Sequence, residues 1–294
     1  MKKLGTCIVF LLVYFLGFSQ VIILDSLAEN GGYSYKSQPI GVGPFPGVLY
    51  SHGGLGNAVW GNLRGTCIAL AQNGYMGWCN RRTTDIPMAP HVVQIEAALD
   101  SLLSQTDVDV NNIGIIGFSR GGLLTIMTAV SRYYDVKAVV TMAPAAANNT
   151  LANTLLNASS IDDSVLILVA ENDTFQDNHV QLALDVRNAL DTSTGVRHIE
   201  YTPYDEDGNG VVNNLDDGHM LFDKVQSPYW DDLIDFLDNN LKNTNTNIHN
   251  FPSKTKNKLI NIVDLLGRKT NNKNNSLSFY IYDNGTVEKK ITLE

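Results

Sequence analysis

The chain has 294 residues, of which 44% are hydrophobic and 17% are charged, and its formal net charge is -9. This balance is typical of a globular protein with one large core and a small second unit, and it excludes collagen-like, coiled-coil and wholly disordered chains. Residues 251–294 carry 8 basic and 4 acidic side chains, so the rest of the chain is strongly acidic, which disfavours nucleic acid as a partner because phosphate would be repelled.

Residues 1–19 have the pattern of a secretory signal peptide. Two lysines precede an apolar run at residues 7–18, and small or polar residues follow it. Because the run is short for a bilayer span and lacks a basic flank, a cleaved signal is favoured over a membrane anchor. The sequence therefore predicts a secreted or cell-surface protein. Cys67 and Cys79 remain after cleavage, and in an oxidising compartment they either pair or stay as buried thiols.

Residues 21–241 alternate short apolar runs with longer amphipathic stretches. This alternation is typical of an α/β fold, with a mainly parallel sheet flanked by helices and functional loops after the strands. The predicted strands are 47–51, 75–80, 113–117, 136–142, 165–170 and 196–203, and the predicted helices are 59–72, 90–104, 121–132, 178–190 and 229–241.

Ser119 is the predicted nucleophile of a catalytic site. It lies in Gly117-Phe118-Ser119-Arg120-Gly121, between a predicted strand and a predicted helix, which is the context of a nucleophile elbow. The glycines allow a close backbone approach that a Cβ atom would prevent. An ordinary Gly-Ser turn is the alternative, and the strand-turn-helix context favours the nucleophile.

A serine hydroxyl needs a base, and His219 is the predicted one. It follows Gly218, after the last long strand pattern and before the C-terminal helix. His91 and His179 stand near predicted helix starts, where capping or surface roles are expected. His52, in the loop after the first predicted strand, is expected to be structural.

Asp173 is the predicted acid that orients His219, since it follows the apolar strand 165–170. The resulting chain order of serine, acid and histidine is that of α/β-hydrolases, in which the acid stands three residues after a small residue, here Ala170. Glu171 and Asp177 are the alternatives in the same loop. The backbone amides of Gly54 and Arg120 are the predicted oxyanion-hole donors.

Four segments resemble the dienelactone-hydrolase-like and prolyl-oligopeptidase-like branch of the α/β-hydrolases. They are residues 43–54, the elbow at 117–122, residues 170–173 and residues 218–219, and the likeness spans about residues 40–240. The resemblance implies a Ser119, Asp173 and His219 triad. Serine replaces the cysteine of true dienelactone hydrolases, and no propeller domain is present, so the resemblance implies neither of those full activities.

Residues 205–216 match a twelve-residue calcium loop. Oxygen ligands at alternating positions and a glycine at the sixth position, Gly210, are the features such a loop requires. The segment resembles a dockerin repeat, of which one copy is visible, and an acidic turn is the alternative. The predicted calcium ligands are Asp205, Asp207, Asn209, Val211 and Asp216.

Residues 242–255 read as a linker, and residues 256–294 as a small β unit. Apolar patterns at 258–265, 277–282 and 287–293 predict strands, with a turn at residues 283–285. Residues 259–268 and 280–290 resemble the C-terminal sorting domain read by the type IX secretion machinery of Bacteroidetes. The resemblance implies export across the outer membrane, and a plain structural hairpin is the alternative.

The sequence thus predicts a secreted serine hydrolase that cleaves a carboxylic ester, with calcium as a structural ion and no organic cofactor. The expected partners are a small or polymeric ester substrate and the type IX secretion machinery. Two alternatives stay open: a serine peptidase with the same triad, and a non-catalytic, calcium-dependent surface-binding protein.

Overall fold

The computed structural model divides the chain into two units, residues 1–244 and residues 245–294. The predicted signal peptide and almost all of the predicted linker lie outside the described residues. In the described part of the chain, no helix is both long and apolar enough to cross a bilayer. The described residues are 22–29, 32–55, 58–84, 87–190, 195–212, 217–242, 259–263, 268–270, 276–282 and 287–292.

The first unit is built on a sheet of eight strands in the order β1-β2-β4-β3-β5-β6-β7-β8. Strands β3 to β8 run parallel, and the antiparallel hairpin of β1 and β2 extends the sheet beyond β4. The strands are β1 (Ile22–Glu29), β2 (Gly32–Pro39), β3 (Phe45–Ser51), β4 (Met76–Asn80), β5 (Val108–Phe118), β6 (Ala138–Met142), β7 (Ser164–Ala170) and β8 (Arg197–Tyr201).

Helices cover both faces of this sheet, because side chains alternate along its buried strands. Val139 and Val140, for example, are both fully buried but belong to the hydrophobic clusters of opposite faces. Helices α1 and α7 pack on one face, and α2, α3 and α5 pack on the other. The helices are α1 (Leu63–Gln72), α2 (Met88–Leu103), α3 (Arg120–Ser131), α4 (Thr150–Leu155), α5 (His179–Ala189), α6 (Asp217–Met220) and α7 (Tyr229–Leu237).

The predicted α/β fold is confirmed, and the differences from the prediction are local. No strand is predicted for residues 22–39, whereas the structure has a hairpin there; β2 buries the polar residues Ser34 and Ser37, so an apolar alternation is missing. Helix α1 begins at Leu63 and not at residue 59, because the Asn62 side chain caps it by accepting the Gly65 N–H at 2.7 Å.

Parallel pairing places the carboxyl ends of β3, β5, β6, β7 and β8 along one edge of the sheet. Ser119 follows β5, Asp173 follows β7 and Gly54 follows β3. Residues that are far apart in sequence are therefore brought to the same edge, where open α/β sheets build their sites.

The second unit is a three-stranded antiparallel sheet in the order β11-β10-β9. Its strands lie where the sequence predicts them, and the predicted turn at 283–285 lies outside the described residues. The bounds are β9 (Leu259–Val263), β10 (Ser276–Tyr282) and β11 (Val287–Thr292).

Candidate active site

Ser119 occupies a strained turn between β5 and α3. Its φ is 54°, a left-handed conformation that costs a non-glycine residue free energy and is found at functional positions. The Ser119 N–H donates to Met142 O at 2.8 Å, and Ser119 O accepts the Leu123 N–H at 3.0 Å. Neighbouring backbone thus holds the turn from both sides, as a nucleophile elbow requires.

Two glycines make this elbow sterically possible. A Cβ atom on Gly117 would lie 2.3 Å from Gly121 O, and one on Gly121 would lie 2.0 Å from Ser51 O. Real Cβ atoms essentially never approach backbone oxygen so closely. Both glycines of the motif are therefore explained by backbone that packs against backbone.

The three predicted triad residues meet at this edge of the sheet. The Ser119 Oγ to His219 Nε2 distance is 2.9 Å, and His219 Nδ1 lies 2.9 Å from Asp173 Oδ2 and 3.1 Å from Oδ1. With the proton on Nδ1, the ring donates to the carboxylate and Nε2 accepts from the hydroxyl. His219 and Asp173 are fully buried, and Ser119 is 8% exposed.

The two alternatives to Asp173 in the same loop lie at the protein surface. Glu171 and Asp177 are exposed, and in the described residues the carboxylate that contacts His219 is that of Asp173. Gly218 allows the segment of His219 to approach the segment of Asp173 closely, since a Cβ atom on Gly218 would lie 2.6 Å from the Asp173 backbone nitrogen.

Aromatic rings surround the imidazole of His219. Ring centroids of Phe118 and Phe175 lie 4.9 and 5.0 Å from it, and that of Trp60 lies 6.1 Å away. The Phe175 ring is nearly parallel to the imidazole, at 27°. The base is thus fixed by packing as well as by its hydrogen bonds.

The expectation of a capping or surface role for His179 is wrong. His179 is the first residue of α5, yet it is 2% exposed, and its ring centroid lies 4.5 Å from that of His219. Burial lowers the pKa of His179; Asp173 acts in the opposite direction, and His219 in the same direction as burial. The signal in the sequence was its position six residues after Asp173, at the edge of the sheet where the site forms.

The predicted oxyanion loop runs beside the nucleophile. A Cβ atom on Gly53 would lie 3.1 Å from Ser119 Cβ, and Gly53 pairs with Trp60 through two backbone hydrogen bonds of 2.8 and 3.2 Å. Gly54 has a φ of 87°, and a Cβ atom there would lie 2.3 Å from Ala58 O. Arg120 is the first residue of α3, where backbone N–H groups have no partner inside the helix. Arg120 thus follows Ser119 directly at the start of α3, and Gly54 follows the residue of the loop after β3 that packs against Ser119.

His52 stabilises this loop through hydrogen bonds, in agreement with the structural role expected for it. Its Nδ1 donates to Gly53 O at 2.5 Å, and its Nε2 accepts the Arg82 N–H at 3.2 Å. Burial lowers the pKa of His52, with Arg82 acting in the same direction, so the ring is neutral. Burial likewise lowers the pKa of Arg82 to about 9, and its guanidinium donates to Ser51 Oγ at 2.9 Å.

A cavity of about 600 Å³ opens onto Ser119. Its wall is mixed, with apolar side chains on the loops after β3 and β4 and polar groups near α5. The cavity is large enough for a small ester or for one unit of a polymer. Its lining includes Leu55, Met88, Ser119, Arg120, Phe175 and His179.

The predicted calcium loop is exposed, and its acidic side chains bend inward on its own backbone. Asp205 accepts the Gly208 N–H at 2.9 Å and the Gly210 N–H at 2.7 Å, and Asp207 accepts the Asn209 N–H at 3.1 Å. Gly208 and Gly210 have φ values of 69° and 81°. The predicted ligand Asp216 lies outside the described residues.

Asn172 connects this loop to the acid loop. Its amide nitrogen donates to Tyr204 O at 2.8 Å and to Val212 O at 2.9 Å, and its oxygen accepts the Tyr204 N–H at 2.9 Å. One side chain, next to Asp173, therefore holds both ends of the segment 204–212. The sequence predicts no role for Asn172.

Cys67 and Cys79 are both buried and are free thiols. Cys67 Sγ lies 3.2 Å from Ser37 Oγ, and burial together with the neighbouring Cys67 raises the pKa of the Cys79 thiol. Both cysteines pack in the hydrophobic cluster under α1, so their role in the structure is that of small core residues.

Comparisons with known proteins support the fold. Residues 80–198 match the Dienelactone hydrolase family. No curated protein matches the chain. A structure assigned as a dienelactone hydrolase from Klebsiella pneumoniae subsp. pneumoniae has 20% sequence identity and a TM-score of 0.51, with 74% of this chain and 98% of that chain covered.

Two further similar structures are esterases. One of two fungal esterases from Rhizomucor miehei has 13% identity and a TM-score of 0.55, covering 76% of this chain and 86% of its own. Esterase B from Lactobacillus rhamnosis, inhibited by a tributyrin phosphonate, has 14% identity and a TM-score of 0.50, covering 74% and 86%. The chain therefore has the α/β-hydrolase fold.

Proposed function

We propose that this protein is a secreted serine hydrolase that cleaves a carboxylic ester through an acyl-enzyme intermediate. The observation that carries the proposal is the 2.9 Å contact between Ser119 Oγ and His219 Nε2, with Asp173 2.9 Å behind Nδ1. Nucleophile, base and orienting acid in this geometry form the recurrent triad of acyl transfer. The family match and the esterase neighbours support an ester as the substrate.

Each triad residue has one task in this mechanism. Ser119 Oγ attacks the carbonyl carbon while His219 Nε2 takes the hydroxyl proton, and Asp173 stabilises the imidazolium that forms. The C–O bond to the alcohol breaks, and the leaving alkoxide takes the proton from His219. Water, activated by the same base, then attacks the acyl-serine and releases the acid.

The developing oxyanion needs donors that are already in position. The amides of Gly54 and Arg120 are proposed for this task because the loop of Gly54 packs against Ser119 and Arg120 begins the helix that follows Ser119. Donors that are fixed before reaction begins stabilise the tetrahedral intermediate without further reorganisation, and loss of one typically costs about a hundredfold or more in kcat.

Covalent labelling tests the proposal directly. A phosphonate ester with a short acyl-like chain is expected to modify the protein once, at Ser119, because the activated hydroxyl attacks phosphorus as it would attack a carbonyl. Mass spectrometry of peptides locates the adduct. Heat-unfolded protein is the control, since labelling that survives unfolding would not report an active site.

Parallel assays distinguish the hypothesis of an ester hydrolase from its two alternatives. Hydrolysis of short-chain p-nitrophenyl esters, with little hydrolysis of matched peptide anilides, is the expected pattern. Faster cleavage of anilides would favour the serine peptidase. No labelling and no hydrolysis of either class would favour a non-catalytic binding protein.

We further propose that residues 205–216 bind calcium as a structural ion. The hydrogen bond from Gly210 N–H to Asp205 supports this, because it folds the carboxylate over the centre of the loop. A second support is Asp217, the next residue after the loop: it is 3% exposed, and in the described part of the chain its Oδ2 has no hydrogen-bond partner. A buried carboxylate oxygen needs a hydrogen-bond donor or a cation, and Asp217 directly follows the loop in sequence.

Calcium is expected to stabilise the protein. At a concentration about a hundredfold above Kd it should raise the unfolding midpoint by roughly 5–10 °C relative to chelator-treated protein, since the ion binds only the folded loop. The variant Asp205→Ala should lose this shift, whereas magnesium at the same concentration should give a smaller one. Equal midpoints with calcium and with chelator would contradict the site.

Export is the remaining part of the proposal. Residues 1–19 as a cleaved signal and residues 256–294 as a sorting domain for the type IX secretion machinery would carry the enzyme to the cell surface or the medium. The support is the sequence resemblance of the C-terminal segment, whose described residues form three antiparallel strands.

A further inference from the structure

The imidazole of His179 lies between two separate loops and contacts a backbone carbonyl of each. Its Nε2 lies 2.8 Å from Phe175 O, in the loop after β7, and its Nδ1 lies 3.1 Å from Pro144 O, in the loop after β6. Both carbonyls are hydrogen-bond acceptors, so a neutral ring can donate to one of them only. The side chain thus contacts both the loop of the catalytic acid and the neighbouring loop at the same edge of the sheet.

The backbone of His179 closes the acid loop as well. Its N–H donates to Asp173 O at 3.2 Å, and its Nε2 lies 3.9 Å from Asp173 Oδ1. The loop leaves Asp173 and returns to contact it, so a displacement of His179 is transmitted to the carboxylate over one short segment.

His179 also packs directly against the imidazole of His219. Its ring centroid is 4.5 Å from that of His219, at an interplanar angle of 43°, and Phe175 stacks on the same imidazole. Asp173 fixes only the Nδ1 end of His219. Rotation of the ring about that hydrogen bond is limited by these two packed neighbours.

The hydrogen-bonding state of His179 follows from its surroundings. Its pKa is lowered by burial, so the ring is neutral at neutral pH and has one N–H. The shorter contact, to Phe175 O, is where that proton belongs. A glutamine at this position has its amide nitrogen the same number of bonds from Cα as Nε2, so it can restore the donor.

We propose that His179 is a positioning residue of this site. It holds the Asp173 loop and the ring of His219 at the geometry in which Nε2 reaches Ser119 Oγ, without touching the reacting atoms. This inference rests on the proposed function, and it adds a fourth side chain on which that function depends.

Three variants of the full chain test the inference. His179→Ala removes the donor and the packing, His179→Gln restores the donor, and His198→Gln is a matched control on β8, away from the site. The measurements are kcat and KM on a p-nitrophenyl ester, the rate of phosphonate labelling and the unfolding midpoint. A misplaced base lowers kcat far more than it changes KM.

We expect His179→Ala to lower kcat and the labelling rate about a hundredfold, with KM within about threefold of the parent. His179→Gln should recover about tenfold of that loss, and His198→Gln should match the parent. The inference is overturned by a folded His179→Ala protein with parental kcat, or by a glutamine variant no more active than the alanine variant. If His179→Ala does not fold, the glutamine variant decides: kcat within about tenfold of the parent supports the role, and loss of kcat overturns it. A parent protein that neither hydrolyses esters nor is labelled would instead refute the proposed function.

Discussion

Replacement of Ser119 by alanine is expected to lower kcat/KM for ester hydrolysis by about 10⁴- to 10⁶-fold, because the acyl-enzyme route needs an oxygen nucleophile. The remaining activity would come from the oxyanion donors and from substrate binding. The measurement is the initial rate on a p-nitrophenyl ester at concentrations below KM. The unfolding midpoint should hardly change, since a small hydroxyl is lost from a position that lines a cavity.

Two further variants make the result specific. Ser131→Ala removes an exposed serine at the other end of the same helix, α3, and should match the parent enzyme. Asp173→Asn keeps the shape of the acid but removes its charge, and should cost about 10⁴-fold because His219 would then take the wrong tautomer. A Ser119→Ala protein with a tenth or more of parental activity would contradict the assigned nucleophile.

The fold of the first unit was predictable from its buried parallel strands. Strand β7 is a continuous apolar run because both of its faces are covered, and its start and end lie within one residue of the prediction. Strand β2 of the hairpin at the edge of the sheet was not predictable in the same way, since it buries serines and half-buries tyrosine and lysine. Apolar periodicity reports burial, and an edge hairpin has too little burial for the signal to appear.

The residues of the site also differ in how far the sequence predicts them. Ser119 and His219 could be predicted because local motifs and chain order mark them, and Asp173 because a strand end precedes it. The contacts of Asn172 with the backbone of Tyr204 and Val212, and that of His179 with Pro144, could not be predicted. Such partners are 32 to 40 residues away, and nothing in local spacing encodes them.

Replacement of Gly121 by alanine is expected to destabilise the first unit severely. The new Cβ atom would lie 2.0 Å from Ser51 O and 2.6 Å from His52 O, so it would overlap backbone atoms of the last residue of β3 and of the residue that follows it. Backbone cannot rotate away as a flexible side chain can, and either α3 or β3 must shift. The cost should be about 3–5 kcal/mol, a large part of the stability of a typical domain. Chemical denaturation of the full chain measures it.

A second glycine near a helix start provides the control. Gly65→Ala in the first turn of α1 would place Cβ 2.3 Å from the end of the Asn62 side chain, which can rotate away. That variant loses some capping but gains helix propensity, so its stability should stay within about 1 kcal/mol of the parent. A Gly121→Ala protein as stable as Gly65→Ala would show that β3 and α3 are not in tight contact. The support that the loop after β3 gives to the elbow, and with it the proposed oxyanion site, would then be lost.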